Sequence, residues 1–290
     1  VNGVVVKAQP RIYSLARFSR NKTAATGLVI ILFLVFVAVF APVLAPHHPY
    51  EQNLEKALLP PCGEYPFGTD DLGRCVFSRI VFGTRISLQI GVTVTAITAS
   101  IGVTLGLLAG YYGRLVDEII MRLVDIFLAF PGLVLALAIA GLLGPGLFNV
   151  MLALAVVGWM GYARVVRGAV LAVKEKEFVE SAKAIGAKDL YILLRYVLPN
   201  VSAPVIVMAT LGIGYVILAA AGLSFLGLGV QPPTPDWGAM LNSGKAFMRT
   251  APHLTVFPGL AIMITVMAFN FLGDGLRDLL DPRLKEKKIE

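Results

Sequence analysis

Five long stretches of the chain carry no Asp, Glu, Lys or Arg: residues 23–50, 86–113, 126–163, 196–235 and 250–273. A helix crossing a bilayer needs about 20 apolar residues, so each stretch can span. The third is long enough to cross twice and is interrupted by Gly144-Pro145-Gly146, a strong turn signal. The pattern predicts an all-α, polytopic integral membrane protein with six transmembrane helices. The expected spans are residues 24–44, 86–111, 119–143, 147–162, 201–223 and 254–272. The intervening segments divide the chain into a leader (1–23), an anchor helix with a Pro- and Gly-rich outer loop (24–85), a membrane domain (86–278) and a tail (279–290). The first apolar run is too long for a cleavable signal and is expected to stay as an anchor.

Composition narrows the class. Hydrophobic residues make up 57% of the 290 and charged residues 15%, with a mean hydropathy of +0.78. A soluble domain carries about a quarter charged residues, so a soluble enzyme is a poor fit. The net charge of +7 reads as topology. With the N-terminus inside, 19 of the 25 Lys and Arg fall in cytoplasmic segments, leaving Lys56, Arg74, Arg79, Arg85, Lys245 and Arg249 outside. A basic face beside anionic membrane lipid explains the charge better than nucleic acid does. The expected location is the cytoplasmic membrane, multi-pass, with both termini inside.

One polar insert interrupts the apolar pattern for two dozen residues. Residues 177–200 read EFVESAKAIGAKDLYILLRYVLPN. Charges are costly to bury in lipid, so this segment belongs in water, within a cytoplasmic loop at 171–200. Residues 177–185 are good helix formers, and Gly186 stands where a glycine ends a helix. Asp189 can cap a second helix over 190–197, which Pro199 follows. Ser181, Ala182 and Ala184 are small enough for the first helix to press into a partner's groove. An amphipathic helix resting on lipid is the plainer alternative.

Other features carry two readings each. Gly102, Gly106 and Gly110 put three glycines on one helix face, suited to close packing within the subunit or to a seam with another. Arg122 and Asp125 are three apart and can pair. Asp274, Arg277 and Asp278 suit an interfacial cluster at the end of the last span. Cys62 and Cys75 lie 13 residues apart in the outer loop, either bonded or as two free thiols. His47 and His48 are adjacent, which rarely makes a metal site alone. Ser224 with His253 would suit an intramembrane serine protease only if a base reached the hydroxyl. A Walker Gly-rich loop and a His-Glu-x-x-His pattern are both missing from the sequence.

From residue 67 onward, the stretches FGTDDLGR (67–74), MRLVDIFLAFPGL (121–133), GWMGYARVVRG (158–168), LSFLGLGVQPPTPDWGAML (223–241) and FPGLAIMITVMAFNFLGDGLRDLLDPR (257–283) follow one another. In these the chain resembles the C-type permease subunit of the dipeptide, oligopeptide and nickel ABC importer family. Residues 20–49 resemble that family's N-terminal anchor. The resemblance implies the type I importer fold, with a second, homologous permease, two ATP-binding subunits and an extracytoplasmic substrate-binding protein as partners. It implies that ATP and Mg²⁺ are bound by the ATPase subunits, with no catalysis or cofactor in this chain. It also implies that Glu180, Ser181, Ala182 and Gly186 lie in the ATPase-facing coupling helix. The family's Glu-Ala-Ala reads Glu-Ser-Ala here, the Ile two before Leu-Pro is Tyr196, the Glu before Leu-Ser-Phe-Leu-Gly is Ala220, and the Asp after Leu-Gly-Arg is Cys75. Peptides are the family's default cargo; nickel and oligosaccharides are the alternatives. An ATP-independent secondary transporter is the rival of another class, but paired halves with broken helices are not visible in the sequence.

Overall fold

The computed structural model describes residues 21–280. The basic leader through Arg20 and the tail from residue 281 lie outside the described residues, as do the positive charges they contribute to the topology argument. Nine helices of eight residues or more organise the rest: α1 (Lys22–Val39), α2 (Val76–Tyr112), α3 (Arg114–Leu128), α4 (Gly132–Leu143), α5 (Leu147–Lys174), α6 (Glu177–Ala184), α7 (Asp189–Phe225), α8 (Trp237–Gly244) and α9 (His253–Leu280). Helices α1, α2, α5, α7 and α9 are each long and apolar enough to cross a bilayer.

The third expected span is the main departure. Residues 119–143 form two helices, α3 and α4, at 85° to each other. Pro131 lacks an N–H and drives Phe130 out of the helical region, so the chain turns at residues 129–131 and α4 starts from Pro131. Counting the bent pair as one span gives six. Arg122 does not pair with Asp125. It reaches back to Glu118 at 3.9 Å, while Asp125 pairs with Arg164 of α5. Arg167, one turn further along α5, grips Asp117 through Nε (2.7 Å) and Nη2 (2.5 Å). Helix α3 is thereby held against α5 by two ion pairs, with Val124 its one fully buried residue.

Two further boundaries move. The outer loop was expected to run to residue 85, yet α2 begins at Val76 and continues for 37 residues. Arg79 and Arg85 look like loop residues but are satisfied within the fold. Arg79 donates to Pro49 O and Pro233 O, and Arg85 donates to Ala38 O and Val39 O, the last two residues of α1. Helix α5 likewise runs on to Lys174.

The glycine row of α2 packs within the subunit. A Cβ on Gly106 would lie 2.6 Å from Ala163 O, and one on Gly110 would lie 2.7 Å from Val170 Cβ, both on α5. The two backbones approach this closely because no side chain intervenes. Helix α1 meets α9 in the same way: a Cβ on Gly27 would sit 2.6 Å from Ala268 O, and one on Gly275 would sit 2.1 Å from Ala24 Cβ.

Residues 46–75 fold into a compact cap over one end of the bundle, closed by a bridge between Thr69 and Cys75. Asp70 is its centre. Its carboxylate accepts from Arg74 Nε at 2.6 Å and from the backbone N–H groups of Leu72 and Arg74, with Arg79 at 3.6 Å. Cys62 and Cys75 are both free thiols, so the bond between them is not made. Cys75 is buried at the start of α2, whereas Cys62 is exposed on a turn whose N–H donates to Tyr65 O.

Candidate docking site

The polar insert is built as two helices and a reversal. Helix α6 carries Glu177 and Glu180 in its first turn, where carboxylates complement the helix dipole. It ends in a Schellman arrangement: the Gly186 N–H donates to Lys183 O (2.9 Å) and the Ala187 N–H to Ala182 O (3.1 Å). Gly186 has φ +79, the left-handed region that costs glycine nothing.

The second helix differs from expectation at both ends. Asp189 is in its first turn without capping a backbone N–H, and its carboxylate accepts the Tyr111 hydroxyl at 2.7 Å instead. Nor does the helix stop before Pro199. A π turn over Leu193–Val197 carries it into the next span, with the Leu198 N–H donating to Leu193 O. Widening the ladder by one residue lets a proline without an N–H enter the helix, so α7 is one continuous run from loop to membrane.

The loop has its own apolar core. Val179, Ala182 and Ile192 are buried with Val166, Val170 and Val197. Ala182 was expected to face a partner; it is 4% exposed and faces its own chain. Glu180, Ser181 and Gly186 are exposed. The bare apolar surface lies on residues that the motif did not single out: Phe178, Ile185 (83% exposed), Leu190, Tyr191 and Leu194. Lys188 and Arg195 flank the last three along an open groove. Helical spacing holds the signal, since Val179 and Ala182 turned inward leave positions 178, 181 and 185 facing out.

The other candidates separate. The His253 ring lies 3.2 Å from Thr69 O, whereas Ser224 is buried beside Asp236 at the far end of α7, so no serine–histidine pair forms. His47 stacks on Tyr65 with centroids 4.6 Å apart. Ala220, where the related pattern has a carboxylate, is buried in the apolar core.

Residues 102–286 match the family described as binding-protein-dependent transport system inner membrane component. The chain belongs to this family. Residues 11–61 match a second description, the N-terminal TM domain of oligopeptide transport permease C. The chain is 48% identical over 269 residues to the dipeptide transport system permease protein DppC of Alkalihalophilus pseudofirmus, covering 93% of this chain and 88% of that protein. It is 49% identical over 273 residues to the glutathione transport system permease protein GsiD of Escherichia coli, covering 93% and 89%. Among solved structures, the MetNI methionine ABC transporter in an inward-facing conformation superposes with a TM-score of 0.57 at 18% identity, covering 71% of this chain and 97% of the other. That likeness is one of fold. As an inner-membrane transport component, the chain is not an enzyme, and ATP hydrolysis lies in separate subunits.

Proposed function

We propose that the chain imports peptides, forming a translocation pathway with a homologous second permease. One of two ATP-binding subunits docks on residues 177–200, and an extracytoplasmic binding protein delivers the cargo. Both named relatives handle short peptides, one dipeptides and the other glutathione, which supports a peptide over nickel or an oligosaccharide. The observation that carries the docking role is the loop's construction. Its buried side is packed against its own spans, while Ile185, Leu190 and Leu194 are left bare at one surface. An apolar patch with polar flanks suits a protein partner. Glu180, Ser181 and Gly186 border it, and Ala182 supports it from inside. In this reading the insert and both termini face the cytoplasm, and residues 46–75 face outward.

Uptake of radiolabelled Ala-Ala into proteoliposomes holding the whole complex tests the cargo and the energy source. The expected result is accumulation that needs ATP and the binding protein. Uptake driven by an ion gradient without the ATPase would contradict the reading. In a chain freed of its own cysteines, single cysteines at Lys183 and Glu55 should label from opposite sides of sealed vesicles; labelling of both from outside would contradict the topology.

A further inference from the structure

Three elements converge on the inner end of α2. The last turn of a helix leaves carbonyl oxygens without intrahelical donors, and Lys174 Nζ, at the end of α5, donates to one of them, Gly110 O, at 3.0 Å. The next residue, Tyr111, gives its hydroxyl hydrogen to Asp189 Oδ1 at 2.7 Å, in the first turn of α7. Lys183, in the last turn of α6, holds its Nζ 5.2 Å from the centroid of the same ring. One side chain from α2 thus touches both helices of the insert, on either side of the Gly186 reversal.

The apolar contacts beneath the insert are made largely by small or branched aliphatic groups, Val179, Ala182 and Ile192. Such contacts are non-directional and tolerate sliding. The bonds to Tyr111 are directional, and the one to Asp189 is charge-assisted, the stronger kind. Tyr111 also belongs to the helix that reaches the opposite end of the molecule. At 1.5 Å per residue α2 is about 55 Å long, and its first turn carries Arg79 in the outer cap.

We propose that Tyr111 is a positioning residue for ATPase docking, its hydroxyl and ring holding α6 and the start of α7 at a fixed angle to α2. The proposal rests on the reading of residues 177–200 as the docking loop. The surface made by Phe178, Ile185, Leu190 and Leu194 is then presented as one rigid unit, and Tyr111 acts through it without touching the ATPase. Without the clasp, the loop must be ordered at each docking event, and that cost is subtracted from affinity.

The test titrates purified ATPase onto the solubilised permease pair carrying Tyr111→Phe, Asp189→Ala or both, with Ile185→Glu marking the surface itself. Each single clasp variant should weaken binding about fivefold, the scale of one hydrogen bond. The double variant should be no weaker than the singles, because both remove the same bond. Thermal unfolding of the Tyr111→Phe chain should match the parent, since the ring and its packing stay. Parental affinity in Tyr111→Phe alongside weakened binding in Ile185→Glu would remove Tyr111 from this role and leave the docking surface standing. Parental affinity in Ile185→Glu would remove the docking surface, and the role of Tyr111 with it. Additive losses, or a lower melting temperature in Tyr111→Phe, would also overturn the proposal.

Discussion

The cap at residues 46–75 and the proposed docking loop at 177–200 are held by opposite means. The cap closes over buried charge: Asp70, Arg74 and Arg79 are each under 10% exposed and satisfy one another and the surrounding backbone. Phe67 stacks on Phe257 of α9 at 4.0 Å and Arg79 of α2 donates to Pro49 O, so the cap is tied to α2 and α9, while the Trp237 indole N–H of α8 donates to Ile80 O at 3.1 Å. The docking loop has small aliphatic side chains beneath it and bare apolar ones above. The first region is held by its own charges. The second, in the proposed reading, is half of an interface.

That contrast can be broken most forcefully at Asp70. Asp70→Ala leaves two buried guanidinium groups without their shared carboxylate, which should cost about 3–5 kcal/mol of stability. The loss should appear as a lower melting temperature in detergent, with ATPase docking retained in protein kept cold. A change within error of the parent would mean that water already satisfies the cluster.

The reverse experiment is Ile185→Glu. Its side chain is 83% exposed, so melting should be unaffected, while ATPase affinity should fall by about tenfold, as for an interface side chain worth over 1 kcal/mol. Lower stability with unchanged affinity would make the two regions alike.

A smaller effect sharpens the outer side. Asp236 caps α8, accepting from the Ala239 N–H at 3.0 Å, and burial raises its pKa above the usual carboxylate range. A raised carboxyl pKa in the fold gives a contribution fully present below the unfolded value and lost as pH rises through the folded one. Asn can accept the same bond without charge. Asp236→Asn should therefore melt higher than the parent above that window and converge with it in acid. A difference that does not change with pH would contradict the burial effect.

How much of each region could be read from the chain follows from the same contrast. The docking loop was legible at Gly186 because a helix reversal needs a positive φ and glycine supplies it. It was misread at Pro199, since proline signals a helix end and a single π turn removes that conflict. Ala182 was assigned outward on motif alone, although its spacing from Val179 turns both inward. The cap was legible as a loop but not as a structure. Its cohesion comes from contacts such as that of Arg79 with Pro233 O, separated by more than 150 residues, and no local pattern encodes them. Arg79 and Arg85 hid the first turns of α2 because a charge reads as the end of a span until its partners are known.

The reversal at Gly186 offers the most direct test of the loop as a rigid docking unit. A Cβ there meets nothing within 4 Å, so Gly186→Val imposes backbone strain of about 1–3 kcal/mol at φ +79 without a steric clash. The measurement is ATP hydrolysis by the reconstituted complex, with and without loaded binding protein, together with co-purification of the ATPase. The expected result is a chain that inserts and folds, yet recruits the ATPase poorly or fails to stimulate it. Normal assembly with normal stimulated hydrolysis would contradict the docking role of the loop.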